Sequence, residues 1–142
     1  MTSSESIFPV AALQVLAGDP GIAAAIVYGS AAKGRLRPDS DIDIAVLFAP
    51  LAEPRVGAGH GFLELLGRLT VAAGRDAHLV DLRGCDNALR RSIFASGIRL
   101  FDRSGQVLRD LERSTLVEYA DWDYARRIID RGQRRRLEQV LG

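Results

Sequence analysis

Cysteine is almost missing from this chain: Cys85 stands alone among 142 residues. A single thiol excludes an internal disulfide framework and fits a reducing, cytoplasmic setting, where a lone cysteine is more often a packed side chain than a nucleophile. Lysine is as scarce, since Lys33 is the only one and the other basic residues are arginines. Acidic and basic residues nearly cancel, leaving a net charge of +1. That balance gives no global reason to expect nucleic-acid binding. No apolar run approaches the roughly 20 residues that a membrane-spanning helix needs. The opening Met1-Thr2-Ser3-Ser4-Glu5-Ser6 has no basic stretch before an apolar run, so no secretory signal is visible. Internal repeats and low-complexity tracts are absent too.

What is present is apolar patterning. With 47% hydrophobic residues, a chain of this length can bury one core but hardly two. The pattern alternates between helix and strand periods. Pro9 to Leu16 reads as a helix, the turn Gly18-Asp19-Pro20-Gly21 follows, and Ile22 to Tyr28 is a short apolar run of small and β-branched residues, a buried strand. Asp41 to Phe48 alternates as a second strand. Ala49 to Gly61, rich in proline and glycine, predicts a mobile loop near the site. Phe62, Leu65, Leu66 and Leu69 recur at helical spacing up to Gly74. Asp76 to Leu82 reads as a third strand, Asn87 to Ser96 as a helix, Ile98 to Phe101 as a fourth strand, and Gln106 to the end as mostly helix. The expected fold is α/β of the α+β kind, a small mixed sheet covered by helices.

One segment carries chemistry. Gly29-Ser30 ends the first strand, and after ten intervening residues comes Asp41-Ile42-Asp43. Glycine at the strand end lets the backbone turn sharply and approach a ligand. Ser30 can open a short helix through Ala31, Ala32 and Lys33, with its hydroxyl and the free N–H groups of the helix start aimed at an anion. Asp41 and Asp43, two apart on a strand, leave by one face while Ile42 and Ile44 leave by the other. Two adjacent carboxylates repel, and a divalent cation relieves the repulsion. Hard oxygen ligands suit Mg²⁺, which keeps waters and completes its shell with substrate phosphates. Paired ions of this kind activate an attacking hydroxyl and stabilise a leaving pyrophosphate. Taken singly, Gly-Ser is usually a turn and Asp-x-Asp a solvated strand edge; the combination at this spacing is what is specific. Lys33, Arg35 and Arg37 in the connector could screen triphosphate charge or simply face solvent.

Together, Val27 to Gly34 and Asp41 to Val46 resemble the signature of the DNA polymerase β-type nucleotidyltransferase superfamily. From Ile22 to about Arg103 the chain resembles its compact branch, the minimal nucleotidyltransferases (MNT). Leu100-Phe101-Asp102-Arg103 and Arg113 to Asp121 are similar to the tail of MNT antitoxins encoded beside HEPN toxins. The resemblance implies an antitoxin that transfers AMP from ATP to a tyrosine of a HEPN ribonuclease toxin, with Mg²⁺ as cofactor and a hetero-oligomer with the toxin. It implies Asp41 and Asp43 as catalytic metal ligands and Gly29, Ser30, Lys33 and Arg37 as nucleotide-binding residues. One position departs from the pattern. Where the family commonly has Val-Asp-Leu-Val-Asp, this chain has Ala77-His78-Leu79-Val80-Asp81, so His78 stands where a third carboxylate is expected. By alternation Asp76 and His78 share a face and Asp81 points the other way. His78 is then a neutral ligand, a proton acceptor near the attacking hydroxyl, or a loss that leaves a binder.

The expected organisation is a nucleotidyltransferase domain over residues 1–103 and a helical extension over 104–142 that packs on it and docks a partner. From Trp122 the extension carries Arg126, Arg127, Arg131, Arg134, Arg135 and Arg136 against Asp123, Asp130 and Glu138. Such a run is most often a solvated helix face. The functional alternative is a docking helix with Trp122, Tyr124, Ile128 and Ile129 as apolar anchors. No aromatic platform is interleaved with the charges as RNA binding would need. Besides the AMP-transferring antitoxin, two readings stay open: an antitoxin that acts by binding alone, and a small-molecule nucleotidyltransferase of the aminoglycoside-modifying kind. The short chain leaves little to build an acceptor pocket for the last.

Overall fold

The computed structural model describes residues 8–34, 40–50 and 60–141. Its elements are α1 (Val10–Ala17), β1 (Ile22–Tyr28), β2 (Ile42–Phe48), α2 (His60–Ala73), β3 (Ala77–Asp81), α3 (Asn87–Ser96), β4 (Ile98–Asp102) and α4 (Val107–Leu141). These fall within a residue or two of the boundaries expected from periodicity. The loop expected over 49–61 falls mostly on residues 51–59, outside the described ones.

The four strands form one mixed sheet in the order β3-β2-β1-β4. β1 pairs antiparallel with both β2 and β4, while β2 and β3 run parallel. A parallel pair needs a crossover, and α2 supplies it. The two inner strands are buried almost throughout, in keeping with helices on both faces. Strand alternation sorts the core into two layers. On one face Ile42, Ile44 and Val46 of β2 meet Leu16 of α1 and Leu65 and Leu69 of α2. On the other, Ala45 and Leu47 of β2 and Ile26 of β1 meet Ile93 of α3 and Leu108 of α4.

Local chemistry fixes the element ends. Asp86 caps α3 by accepting the Leu89 N–H at 2.7 Å. Past β4, Arg103 reaches back 81 residues or more in sequence: its guanidinium donates to the carbonyls of Ile22 (3.0 Å), Ala17 (2.8 Å) and Asp19 (2.7 Å). It thereby ties the start of α4 to the turn between α1 and β1. The first part of α4 packs on α3. Asn87 donates to the Thr115 carbonyl and to Glu118, and the Arg91 guanidinium lies 3.7 Å from the centre of the Tyr119 ring. Arg99 of β4 pairs with Glu112. With 35 residues α4 is about 52 Å long at 1.5 Å per residue, far more than the sheet spans. Beyond Tyr119, Trp122, Tyr124, Ile128 and Ile129 turn to solvent: Trp122 is 64% exposed and Ile129 55%.

Candidate active site

The site forms where β1 ends and β2 begins. Because the two strands run antiparallel with Tyr28 opposite Asp43, the turn after β1 lies beside the first residues of β2. Gly29 takes φ +70°, a left-handed conformation open to glycine, and a Cβ there would run into the Asp43 carboxylate. The glycine thus serves two ends, the sharp turn and the room for Asp43. Residues 29–34 form successive turns, not the short helix expected after Ser30. Lys33 N–H donates to the Ser30 carbonyl and Gly34 N–H to that of Ala31, both at 3.2 Å, and Gly34 at φ +67° ends the run before an α-helical bond can form. Ser30 is half-buried in this turn and Lys33 is exposed. Arg35 and Arg37 lie outside the described residues.

Asp41 stands just before β2 and Asp43 inside it, on the sheet face that also carries Ala45 and Leu47. Ile42 and Ile44 point to the opposite layer, as alternation requires. The parallel register sets Asp43 against His78 of β3. The imidazole lies between the two carboxylates, with Nε2 3.2 Å from Asp41 Oδ2 and Nδ1 3.3 Å from Asp43 Oδ1. Three of the expected site residues are therefore brought to one point, and Gly29 borders them. Asp81 takes no part, since its carboxylate accepts the Arg83 N–H at 3.0 Å in the turn beyond β3. Asp76, just before β3, is exposed, and its carbonyl accepts the Ile42 N–H at 3.0 Å.

The electrostatics follow from this packing. Burial raises the Asp43 pKa above its ordinary value; the neighbouring His78 pulls it down and Asp41 pushes it up. Tyr28, half-buried beside this pair, has its pKa pushed up to about 12, mainly by burial, then by the Asp43 charge and Cys85. Composition offers no sign of that tyrosine; only the β1–β2 register places it next to a carboxylate. The Cys85 thiol is also raised, chiefly by burial, against lowering by Arg90, which disfavours a nucleophilic thiolate.

Two carboxylates on one face at a glycine turn suit a hard divalent cation that shares its shell with phosphate oxygens. Among the described residues, no three acidic, histidine or cysteine groups already stand in a metal-holding arrangement. The donor set on offer is two carboxylates and one imidazole. The profile of the polymerase β nucleotidyltransferase family matches residues 12–106, which contain this whole site. The chain belongs to that family. This nucleotidyltransferase is similar, at 26% identity over 90% of its length and 95% of the other chain, to a chain in the crystal structure of a toxin–antitoxin with AMP-PNP, with a TM-score of 0.67. It is similar at 25% identity (82% and 87% coverage, TM-score 0.61) to a chain of the tri-AMPylated Shewanella oneidensis HEPN toxin in complex with its MNT antitoxin. A chain of the MntA–HepT toxin–antitoxin matches at 25% identity, 82% and 88% coverage and a TM-score of 0.60. No curated protein matches the sequence.

A groove lies elsewhere on the surface. It encloses about 630 Å³ where the start of α3 meets the middle of α4, lined by Asn87, Glu118, Tyr119 and Trp122 among others. None of the site residues lines it. No helix among the described residues is long and apolar enough to cross a membrane.

Proposed function

We propose that this nucleotidyltransferase is an antitoxin that transfers AMP from ATP to a tyrosine of a partner HEPN ribonuclease toxin and so silences it in the cytoplasm. The observation that carries the reading is the convergence of Asp41, Asp43 and His78 on one sheet face beside the Gly29 turn. The similarity across nearly the whole chain to toxin–antitoxin structures holding AMP-PNP or an AMPylated toxin supports the choice of nucleotide and acceptor.

The division of labour follows from position. Gly29, Ser30 and Lys33 border the place for the triphosphate, where Arg37 belongs by its place in the connector. Asp41 and Asp43 hold a divalent cation, for which Mg²⁺ arriving with ATP is the ordinary species. When bound, the cation supplies charge neutralisation at the α-phosphate and the leaving pyrophosphate. Asp43 is 25% exposed at its side chain and Asp41 43%, so the pair is open to a large substrate. Residues 104–142 dock the toxin through the exposed side of α4, where Trp122, Tyr124, Ile128 and Ile129 face solvent.

A second reading, neutralisation by binding alone, is favoured by His78, which lies between the carboxylates where a third acid is expected. Intact-mass analysis separates the two. The partner toxin incubated with this protein, ATP and Mg²⁺ gains the mass of AMP on a tyrosine if the transfer occurs. The Asp41→Asn and Asp43→Asn variants are expected to lose the transfer by about a hundredfold or more, the scale on which groups stabilising transition-state charge act. Toxin silenced with unchanged mass establishes the binder instead.

A further inference from the structure

A helix that covers a sheet normally turns charged and polar residues outward, but α2 does so at only two positions. Leu65 and Leu69 point inward to the sheet. Between residues 61 and 73 the exposed positions are Leu63, Glu64, Gly67, Arg68 and Val71. Leu63 is 62% exposed and Val71 83%. These two and Gly67 recur every four residues, so they form one ridge interrupted at its middle by a glycine. A Cβ added at Gly67 would meet nothing within 4 Å, so the gap serves no packing inside this chain. Along one flank of the ridge stand Glu64 and Arg68, one turn apart and opposite in charge. On that flank a groove of about 630 Å³ opens toward α1, with Val15, Val71 and Ala72 in its walls.

We propose that this face docks a second copy of the chain, as an antiparallel pair of α2 helices about a two-fold axis near Gly67. The charge pattern selects the occupant. In an antiparallel two-fold pair the charged flanks meet with Glu64 of each copy beside Arg68 of the other, so two ion pairs form together. A parallel pair would leave the two flanks on opposite sides of the contact, with no partner for either charge. The same antiparallel axis sets Leu63 of each copy against Val71 of the other and brings the two Gly67 residues face to face, where bare backbones approach closely. The Arg68 stem of the second copy lies along the apolar groove walls while its guanidinium reaches Glu64. The place of α2 in the fold leaves the site free. α2 covers one sheet face, whereas Asp41, Asp43 and His78 belong to the edge of the other, which α4 covers, so two copies join back to back with both sites and both long helices outward. One helix pair buries less than a standard interface, so the association is reversible.

Sedimentation velocity on the full chain from about 5 to 500 μM tests the pair, the range in which a small interface associates. The wild-type mass is expected to rise with concentration from that of one chain toward that of two. Gly67→Gln fills the gap with a good helix former, and Val71→Arg puts charge on the ridge. Both variants are expected to remain single chains at the highest concentration, with unchanged circular dichroism. Glu64→Arg is expected to weaken association about tenfold. Adding Arg68→Glu should restore it, because the exchanged charges still pair across the axis. A wild type that stays a single chain throughout overturns the proposal, as does association that survives Gly67→Gln and Val71→Arg, or a charge exchange that restores nothing. A single-chain wild type whose affinity for the partner toxin falls with Val71→Arg also overturns it and gives this face to the toxin.

Discussion

At the residue scale, the site depends on one position that bears no side chain. Gly29 holds a left-handed turn, and the space its missing side chain leaves is taken by the Asp43 carboxylate. Gly29→Ala is expected to cost about 1 kcal/mol or more from backbone strain and to push Asp43 out of line with His78. ATP affinity and AMP transfer should both fall while circular dichroism stays unchanged, and retained affinity in a calorimetric titration would place the triphosphate elsewhere. Tyr28 makes a separate prediction about pH. Its pKa is raised from the ordinary 10.0 to about 12, so the folded protein keeps the phenol proton longer than the unfolded chain does. Below pH 10 both states are protonated and the stabilising contribution is complete. Between about 10 and 12 the unfolded chain deprotonates first, so stability falls as pH rises. Urea midpoints at pH 9 and 11 should therefore drop more in wild type than in Tyr28→Phe; equal drops would exclude Tyr28 as the source.

At the element scale, pairing does what periodicity does not. The run from Ala77 to Asp81 reads as a strand by itself, but only its parallel register with β2 decides that His78, and not Asp81, meets Asp43. Arg103 is a similar case: its part in closing the fold comes from three carbonyls on the α1–β1 segment. Hydrogen bonds from a charged donor contribute more than neutral ones, so Arg103→Ala should cost about 2 kcal/mol or more in urea denaturation. A loss within experimental error would mean that water replaces the guanidinium at those carbonyls. The distal part of α4 makes the opposite prediction. Its Trp122 and Ile128 are at least half exposed and support no core, so Trp122→Ala with Ile128→Ala should leave the melting temperature nearly unchanged. The same pair should weaken binding of the partner toxin by about tenfold or more, as the loss of apolar anchors does at interfaces. Unweakened binding would put the docking surface elsewhere. The side chains of Arg134, Arg135, Arg136 and Glu138, further along the same helix, lie outside the described ones.

At the scale of the whole molecule, the two sheet faces have different jobs. α1 and α2 cover one face, on which Ile42, Ile44 and Val46 pack. The other is covered by α3 and the start of α4 around Ala45 and Leu47, and Asp41, Asp43 and His78 belong to its edge. Both faces are thus packed, and the second also carries Asp41, Asp43 and His78 at one end. A one-residue slip of β2 would exchange the faces and bury both aspartates, which the apolar set on the opposite side strongly opposes.

The sequence by itself determined most of the elements, the sheet-and-helix class and the pairing of Asp41 with Asp43. Each of these depends on local spacing: period-two alternation for the strands, helical recurrence for α2, and a glycine where β1 must turn. The turn after Gly29 was less legible, because Ser30 to Lys33 has helix-forming side chains but Gly34 stops the run within one turn. Tertiary structure alone decided the strand order, the use of Arg103 as a tie between distant segments, the burial that raises Tyr28 and Asp43, and the seat of His78 between two carboxylates. These follow from contacts between residues far apart in sequence, set by how the strands align across the sheet, and no local pattern encodes such an alignment.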